Sequence, residues 1–216
     1  MSKPANIRGF PLIISAPSGA GKTSICYEVL RRVGYAEYSV SVTTRERRPK
    51  ERDGVDYHFV EEEEFKKMVD RGEMAEWAKV HGHYYGTLKA KLSGSVERGR
   101  VVLLDIDVQG ARSLKKNFPD SVLVFIFPPS PGELSDRLIS RGTDSDRAIQ
   151  QRLSTAPTEV EEVDLYDYVV VNEDFEVSVD RIVHIIEAEK CALVRMRPFI
   201  ERYKTALKDW REANRT

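Results

Sequence analysis

The stretch APSGAGKT at residues 16–23 sets Gly19 and Gly21 directly ahead of Lys22 and Thr23, between an apolar run and the helix-compatible SICYEVLRRV. Glycine is costly in ordered backbone, so a turn that uses two of them with a lysine does more than change direction. Backbone N–H groups that converge at a helix N-terminus bind anions. The spacing matches G-x-x-x-x-G-K-[ST] with Ala16 in the place of the first glycine. The implied chemistry is nucleotide phosphate binding. Ala16, Pro17, Ser18, Gly19, Ala20 and Gly21 form the cradle, Lys22 lies across the transferring phosphates, and Thr23 offers its hydroxyl to Mg²⁺ between β- and γ-phosphate oxygens.

Three further clusters could act on the same ligand. LLDID at residues 103–107 ends an apolar strand on two acids. Alternation points Asp105 and Asp107 the same way, at the strand end that faces ligands in open α/β sheets. Asp105 suits magnesium, directly or through water; a solvated strand end is the plainer reading. VTTRERRPKERDGVDYHF crowds Arg45, Arg47 and Arg48 ahead of Tyr57. Arginine forks grip phosphate bidentately and a tyrosine adds a neutral donor, although charge runs are usually solvated loops. Arg137, Arg141, Arg147 and Arg152 stud LSDRLISRGTDSDRAIQQRLSTAP (134–157). This reads as a mobile cover that brings positive charge late to the phosphates, with ion pairs to Asp136, Asp144 and Asp146 as the competing account. His81 and His83 have no third ligand spaced for zinc and read as local hydrogen-bonders. The acids at 61–64 read as a helix N-terminal turn.

The elements that must position these residues follow from periodicity. PLIIS (11–15), VVLLDID (101–107), SVLVFIF (121–127) and YVVVN (168–172) are continuous apolar runs, each followed by a polar, helix-compatible stretch. Strands apolar on both faces and alternating with helices indicate an α/β, doubly wound parallel sheet. Residues 38–86 depart from this pattern, with the shorter, more polar strand candidates YSVSVTTR, GVDYHFV and EMAEWAKV around one helix, and read as an inserted α+β subdomain. A final helix is expected from near Asp174 through Ile182, Val183, Ile186 and Leu193 until Pro198 interrupts it. Beyond it Ile200, Tyr203, Leu207 and Trp210 give residues 199–213 one apolar face. That face either docks on its own domain or contacts another subunit.

Composition narrows the partners. Lys+Arg 34 against Asp+Glu 35 leaves a formal charge of −1, which supplies no global field for nucleic acid. Cys26 and Cys191 have neither disulfide nor zinc spacing and suit a reducing, cytoplasmic setting. No apolar run reaches the roughly eighteen residues of a membrane span, and the N-terminal MSKPANIRGF does not read as a signal peptide.

In this order, APSGAGKT, SVTTRERR, DGVDYHF, AEW, YYGT, LLDIDVQG, SRGTDSD and YDYVVVNED closely resemble guanylate kinase of the bacterial type, within the nucleoside monophosphate kinases. The resemblance covers residues 9 to about 190 and implies a P-loop core (9–37, 98–133 and 158–190), a GMP-binding insertion (38–97) and a helical lid (134–157). Residues 191–216 form a C-terminal helical extension outside it. It implies Ser41, Arg45, Arg48, Tyr57 and Tyr85 around the GMP phosphate, Glu76 and Thr87 reading guanine, and Asp107 near the acceptor nucleotide. Asn172 falls near the adenine of ATP, and Arg45, Arg141 and Arg152 join Lys22 in catalysis. The implied activity is ATP + GMP to ADP + GDP with Mg²⁺, in purine nucleotide metabolism and GMP recycling, with dGMP as a further acceptor.

The base reading makes chemical sense. Guanine presents N1–H and N2–H₂ along one edge, and a carboxylate accepts both, whereas adenine offers an acceptor at N1. Two rivals stand beside this reading. Guanylate-kinase-like scaffolds bind phosphopeptides but typically lose the P-loop lysine and lid arginines, which this chain keeps. A ribose bisphosphate kinase has no base to read.

Overall fold

The computed structural model describes residues 8–17, 19–80, 82–140 and 146–214. In the core, β1 (Phe10–Ser15) leads into α1 (Lys22–Arg32) and the short β2 (Ala36–Tyr38). The insertion follows as β3 (Val42–Thr43), β4 (His58–Phe59), α2 (Glu62–Asp70), β5 (Met74–Val80) and β6 (His83–Leu88). The chain returns through α3 (Lys89–Glu97), β7 (Val101–Asp105), α4 (Val108–Asn117) and β8 (Val122–Phe127), then α5 (Pro131–Ser140) and α6 (Asp146–Glu161). It ends with β9 (Tyr168–Val171), α7 (Phe175–Lys190) and α8 (Leu193–Ala213).

The core sheet has the order β2-β7-β1-β8-β9 and is parallel throughout. The α/β doubly wound expectation therefore holds. Its strands are continuously apolar because each face meets helices. On β1, Leu12 and Ile14 pack with Ile25 and Val29 of α1 and Ile182 and Ile186 of α7. Ile13, between them, packs on the other face with Leu92 of α3 and Leu114 of α4. This alternation fixes β1 at the centre, with β7 and β8 delivering their C-terminal ends to the edge where the loop to α1 turns.

A second, four-stranded sheet has the order β4-β3-β6-β5. YSVSVTTR is divided between the two sheets: Tyr38 ends β2 and Val42 begins β3. The HYYGTL strand β6 is not among the expected strands; it is drawn out by antiparallel pairing with both β5 and β3. The acids of the EEEE run do open a helix, with Glu62, Glu63 and Glu64 in the first turn of α2. Two contacts fix this sheet to the core. Ala75 of β5 enters the cluster that holds Leu92 and Leu114, and Asn117 Nδ2 donates to the Ala75 carbonyl at 2.7 Å. Helix α3 also lays Leu92 and Val96 among Val102 and Leu104 of the core sheet.

The C-terminal region differs from expectation. Asp174 caps α7 by accepting from the Val177 N–H at 2.9 Å, but the helix ends at Lys190 and α8 begins at Leu193. Pro198 interrupts nothing and lies inside α8. The cause of the break is Arg195, which is 6% exposed. It donates to the Asp120 carbonyl at 3.1 Å and to Glu189 Oε2 at 2.7 Å, with its guanidinium 4.1 Å above the Phe10 ring. On one continuous helix Glu189 and Arg195 would stand roughly 120° apart; the break lets them meet. Of the two readings open for residues 199–213, docking on their own domain is not what the structure shows. Tyr203, Leu207 and Trp210 are exposed, and Leu193 lies outside the α7 stripe.

Removing one partner of a buried ion pair is costly because the other is left with its desolvation unrepaid. Arg195→Ala is expected to lower stability by about 3 kcal/mol, read as a reduced urea midpoint with an unchanged slope. A midpoint equal to wild type would show that this anchor carries no stability.

Candidate active site

The phosphate loop runs from the end of β1 to the first turn of α1. Gly19 and Gly21 adopt φ of 102° and 90°, left-handed values that strain any side-chain-bearing residue. The Ala20 N–H returns to the Pro17 carbonyl at 3.1 Å. Ala16 and Ala20 are buried beneath the loop; Ser18 lies outside the described residues. Asn172, expected beside adenine, is buried, and its Nδ2 donates to the Ala20 carbonyl at 2.8 Å. Its side chain thus braces the loop from β9.

At the head of α1, Lys22 Nζ lies 2.7 Å from Asp105 Oδ1 and 3.3 Å from the Ile106 carbonyl. Thr23 Oγ1 donates to the second oxygen, Asp105 Oδ2, at 2.8 Å. Burial works against the charge on Lys22, but the Asp105 carboxylate outweighs it and leaves the ammonium pKa raised. The register Ile14↔Asp105 between β1 and β7 brings these residues together from 82 positions apart in the chain.

Between the two sheets lies a cleft of about 230 Å³ lined by Lys22, Ser41, Tyr57, Glu76, Tyr85, Asp105 and Asp107. Glu76 and Thr87 face each other across the β5–β6 hairpin, and Thr87 Oγ1 donates to Glu76 Oε1 at 2.6 Å. Both are buried, Glu76 to 4% exposure. Burial pushes the Glu76 carboxyl up to about 7, with the Thr87 hydrogen bond pulling it down and nearby Asp107 adding to the rise. Asp107 also caps α4, its Oδ1 accepting from the Gly110 N–H at 2.8 Å.

The basic loop after β3 is only partly drawn inward. Arg45 donates to Glu51 Oε1 at 2.7 Å and stands 5.4 Å from the Tyr57 ring centre. Tyr57 meets Tyr85 edge-on at 6.0 Å. Arg47 and Arg48 are exposed at the rim; the Arg48 backbone N–H also reaches Glu51, at 2.8 Å. Glu51 escaped the sequence reading because an acid inside a basic run carries no local mark. It holds Arg45 half-buried at the side of the cleft.

In the expected lid, α5 and α6 join through Leu134, Leu138, Ile149 and Ala156. Arg137 reaches Glu133 Oε1 and the Asn172 carbonyl, both at 3.1 Å. Arg152 is half-buried on α6. Arg141, the Arg147 side chain and His81 lie outside the described residues. Among the described residues no three or more His, Cys, Asp or Glu side chains gather to hold a metal. A cation at Thr23 and Asp105 would therefore draw its other ligands from phosphate and water, as magnesium does at nucleotide sites. Oxygen donors of this kind fit that ion.

The family model described as Guanylate kinase matches residues 8–189. A guanylate kinase of Thermotoga maritima is 46% identical over 206 residues, covering 95% of this chain and 100% of its own. That of Syntrophotalea carbinolica is 50% identical over 189 residues, covering 88% and 90%. The crystal structure of guanylate kinase from Anaplasma phagocytophilum superposes with a TM-score of 0.73 at 37% identity, over 87% of this chain and 89% of that one. The family match spans the core sheet, the phosphate loop and the small sheet that closes the cleft, and the chain belongs to the guanylate kinase family.

Proposed function

We propose that this chain transfers the γ-phosphoryl group of ATP to GMP, giving ADP and GDP, with dGMP as an alternative acceptor. The observation that carries this reading is the buried Glu76–Thr87 pair, which opens on the same cleft as Lys22. An ionised Glu76 accepts from N1–H and N2–H₂ of guanine; AMP would leave it buried and unmatched, a loss larger than any from missing apolar contact.

The nucleophile is an oxygen of the GMP phosphate, whose second pKa is about 6. It is already ionised at neutral pH, so no side chain need remove a proton. Its bond to the γ-phosphorus forms as the bond from that phosphorus to the β–γ bridging oxygen breaks, and the electron pair leaves with ADP. Positioning and charge compensation supply the catalysis. Ser41, Tyr57 and Tyr85 line the phosphate end of the acceptor site, with Arg45 beside them and Arg48 at the rim. Lys22 balances charge on the transferring group, joined by Arg141 and Arg152 from the lid. A magnesium ion held by Thr23 and Asp105 would neutralise charge between the β- and γ-phosphates. Asp107 is assigned to the acceptor nucleotide, and Asn172 to the ATP side through the loop it braces.

The scaffold reading has no support from a cleft that keeps Lys22, Thr23 and Asp105 together, and a ribose bisphosphate would leave Glu76 unmatched. Among the described residues no helix is long and apolar enough to cross a membrane, and a cytoplasmic site of action suits the free thiols of Cys26 and Cys191. For the exposed stripe of α8, contact with a second copy is the reading that remains. Its apolar positions Ile200, Tyr203, Leu207 and Trp210 keep the alternating three- and four-residue spacing of a helix-pairing seam.

The direct test offers Mg-ATP with GMP, AMP, ribose bisphosphate or no acceptor. ADP formation is expected with GMP alone, and Glu76→Gln is expected to lower kcat/KM for GMP by about 100-fold with KM for ATP unchanged. Equal losses for both nucleotides would refute the base-reading role. Glu76 also makes stability depend on pH. Its carboxyl rises from the ordinary 4.5 to about 7 on folding, so its contribution is complete below the unfolded value and lost as pH climbs through the folded one. The Tm of Glu76→Gln should therefore gain on wild type between about pH 5 and about pH 8; a constant difference would place the Glu76 carboxyl at its ordinary value. Sedimentation velocity of the full chain against one ending at residue 198 tests α8: a dimer that becomes a monomer is expected, and two monomers would discard the contact.

A further inference from the structure

Gly110 sits in the first turn of α4, buried, with no left-handed φ to explain the choice of glycine. Glycine is a poor helix former and alanine a good one, so the helix itself gains nothing from it. What the missing side chain leaves is room for a carboxylate. A Cβ at this position would stand 2.9 Å from Glu76 Oε2 and 3.3 Å from Asp107 Oδ1. The first distance is shorter than Cβ atoms essentially ever show, so an alanine would move Glu76.

Glu76 is poorly placed to absorb that movement without consequence. Its other oxygen is bound by Thr87 Oγ1 at 2.6 Å, and the side chain is 4% exposed. Oε1 thus already accepts one bond from the protein and keeps a lone pair for guanine, while Oε2, the other acceptor, is the oxygen that lies against Gly110. The Gly110 N–H meanwhile caps Asp107 Oδ1 at 2.8 Å, a bond that alanine retains. Two of the three acids of the cleft therefore meet at this one residue, Asp107 held by its backbone and Glu76 seated where its side chain would be.

We infer that Gly110 is a specificity-determining positioning residue, whose bare Cα seats Glu76 Oε2 where it meets the amino edge of guanine. This rests on the reading of Glu76 as the guanine acceptor. It adds that the reader's position, and with it discrimination for the 2-amino group, is set by α4 of the core and not by the small sheet alone.

The test compares GMP with IMP, the same nucleotide without the 2-amino group, in wild type, Gly110→Ala, Glu76→Ala and the double variant. Gly110→Ala is expected to lower kcat/KM for GMP about tenfold or more, since misplacement by even an ångström is costly. It should reduce the GMP-to-IMP ratio, with KM for ATP within about twofold of wild type. In the Glu76→Ala background the second substitution should leave the GMP-to-IMP ratio unchanged, because its effect on the ratio acts through the missing carboxylate. Equal losses for GMP and IMP in Gly110→Ala, or an unchanged ratio, would overturn the inference while a collapsed ratio in Glu76→Ala left the guanine reading standing. An unchanged ratio in Glu76→Ala would remove that reading, and the inference with it. Should Gly110→Ala fail to fold, folding of the double variant would support the contact, and failure of both would place the role of Gly110 in the helix itself.

Discussion

Asp105 accepts from Lys22 and Thr23 at once, and this ties the last residue of β7 to the first turn of α1. Neither the phosphate loop nor the acid is useful alone. A lysine at a helix N-terminus stands in unfavourable company, and a carboxylate at the end of a buried strand lacks a counter-charge. Parallel pairing of β1 with β7 solves both problems by bringing each to the other, which is why the order of the sheet matters to the chemistry. The donors on Asp105 are also those that phosphate oxygens require. The pairing also spares Lys22 the cost of standing buried as an uncompensated charge.

The acceptor side is arranged by a different means. Ala75 is anchored in the core cluster beneath α4, while Glu76, its neighbour, turns into the cleft. Neighbouring positions on a single strand therefore connect the cleft carboxylate to the packed core. Arg45 and Tyr57 belong to the other side of the small sheet, on the loop after β3 and just ahead of β4. The two ends of the cleft are thus built differently: Glu76 stands on a strand braced through Asn117, and Arg45 on a loop that Glu51 holds by two bonds.

What the sequence made legible follows the range of the interactions. The core strands and phosphate loop were readable because continuous apolar runs and a glycine-lysine turn are local patterns. Asp105 and Asp107 were readable from alternation. Glu76 and Thr87 carry no such mark; eleven positions apart, they meet through hairpin register, and they entered through resemblance to a family. Strand β6 was missed because its partners, not its composition, make it a strand. The end of α7 was misplaced at Pro198 because the true cause, Arg195 reaching Asp120 and Phe10, is a contact across the fold. Asn172 entered through the resemblance as a neighbour of adenine, and its buried amide serves the Ala20 carbonyl, a partner no spacing rule names.

The anchor of α8 has a geometric corollary. Arg195 grips Phe10 and Asp120, at the edge of the sheet where strands begin. Asp105 and the phosphate loop lie at the edge where they end. The thickness of the sheet therefore separates the root of α8 from the phosphate loop, so a tether or label attached near that root would be fixed at the opposite end of the strands from Asp105.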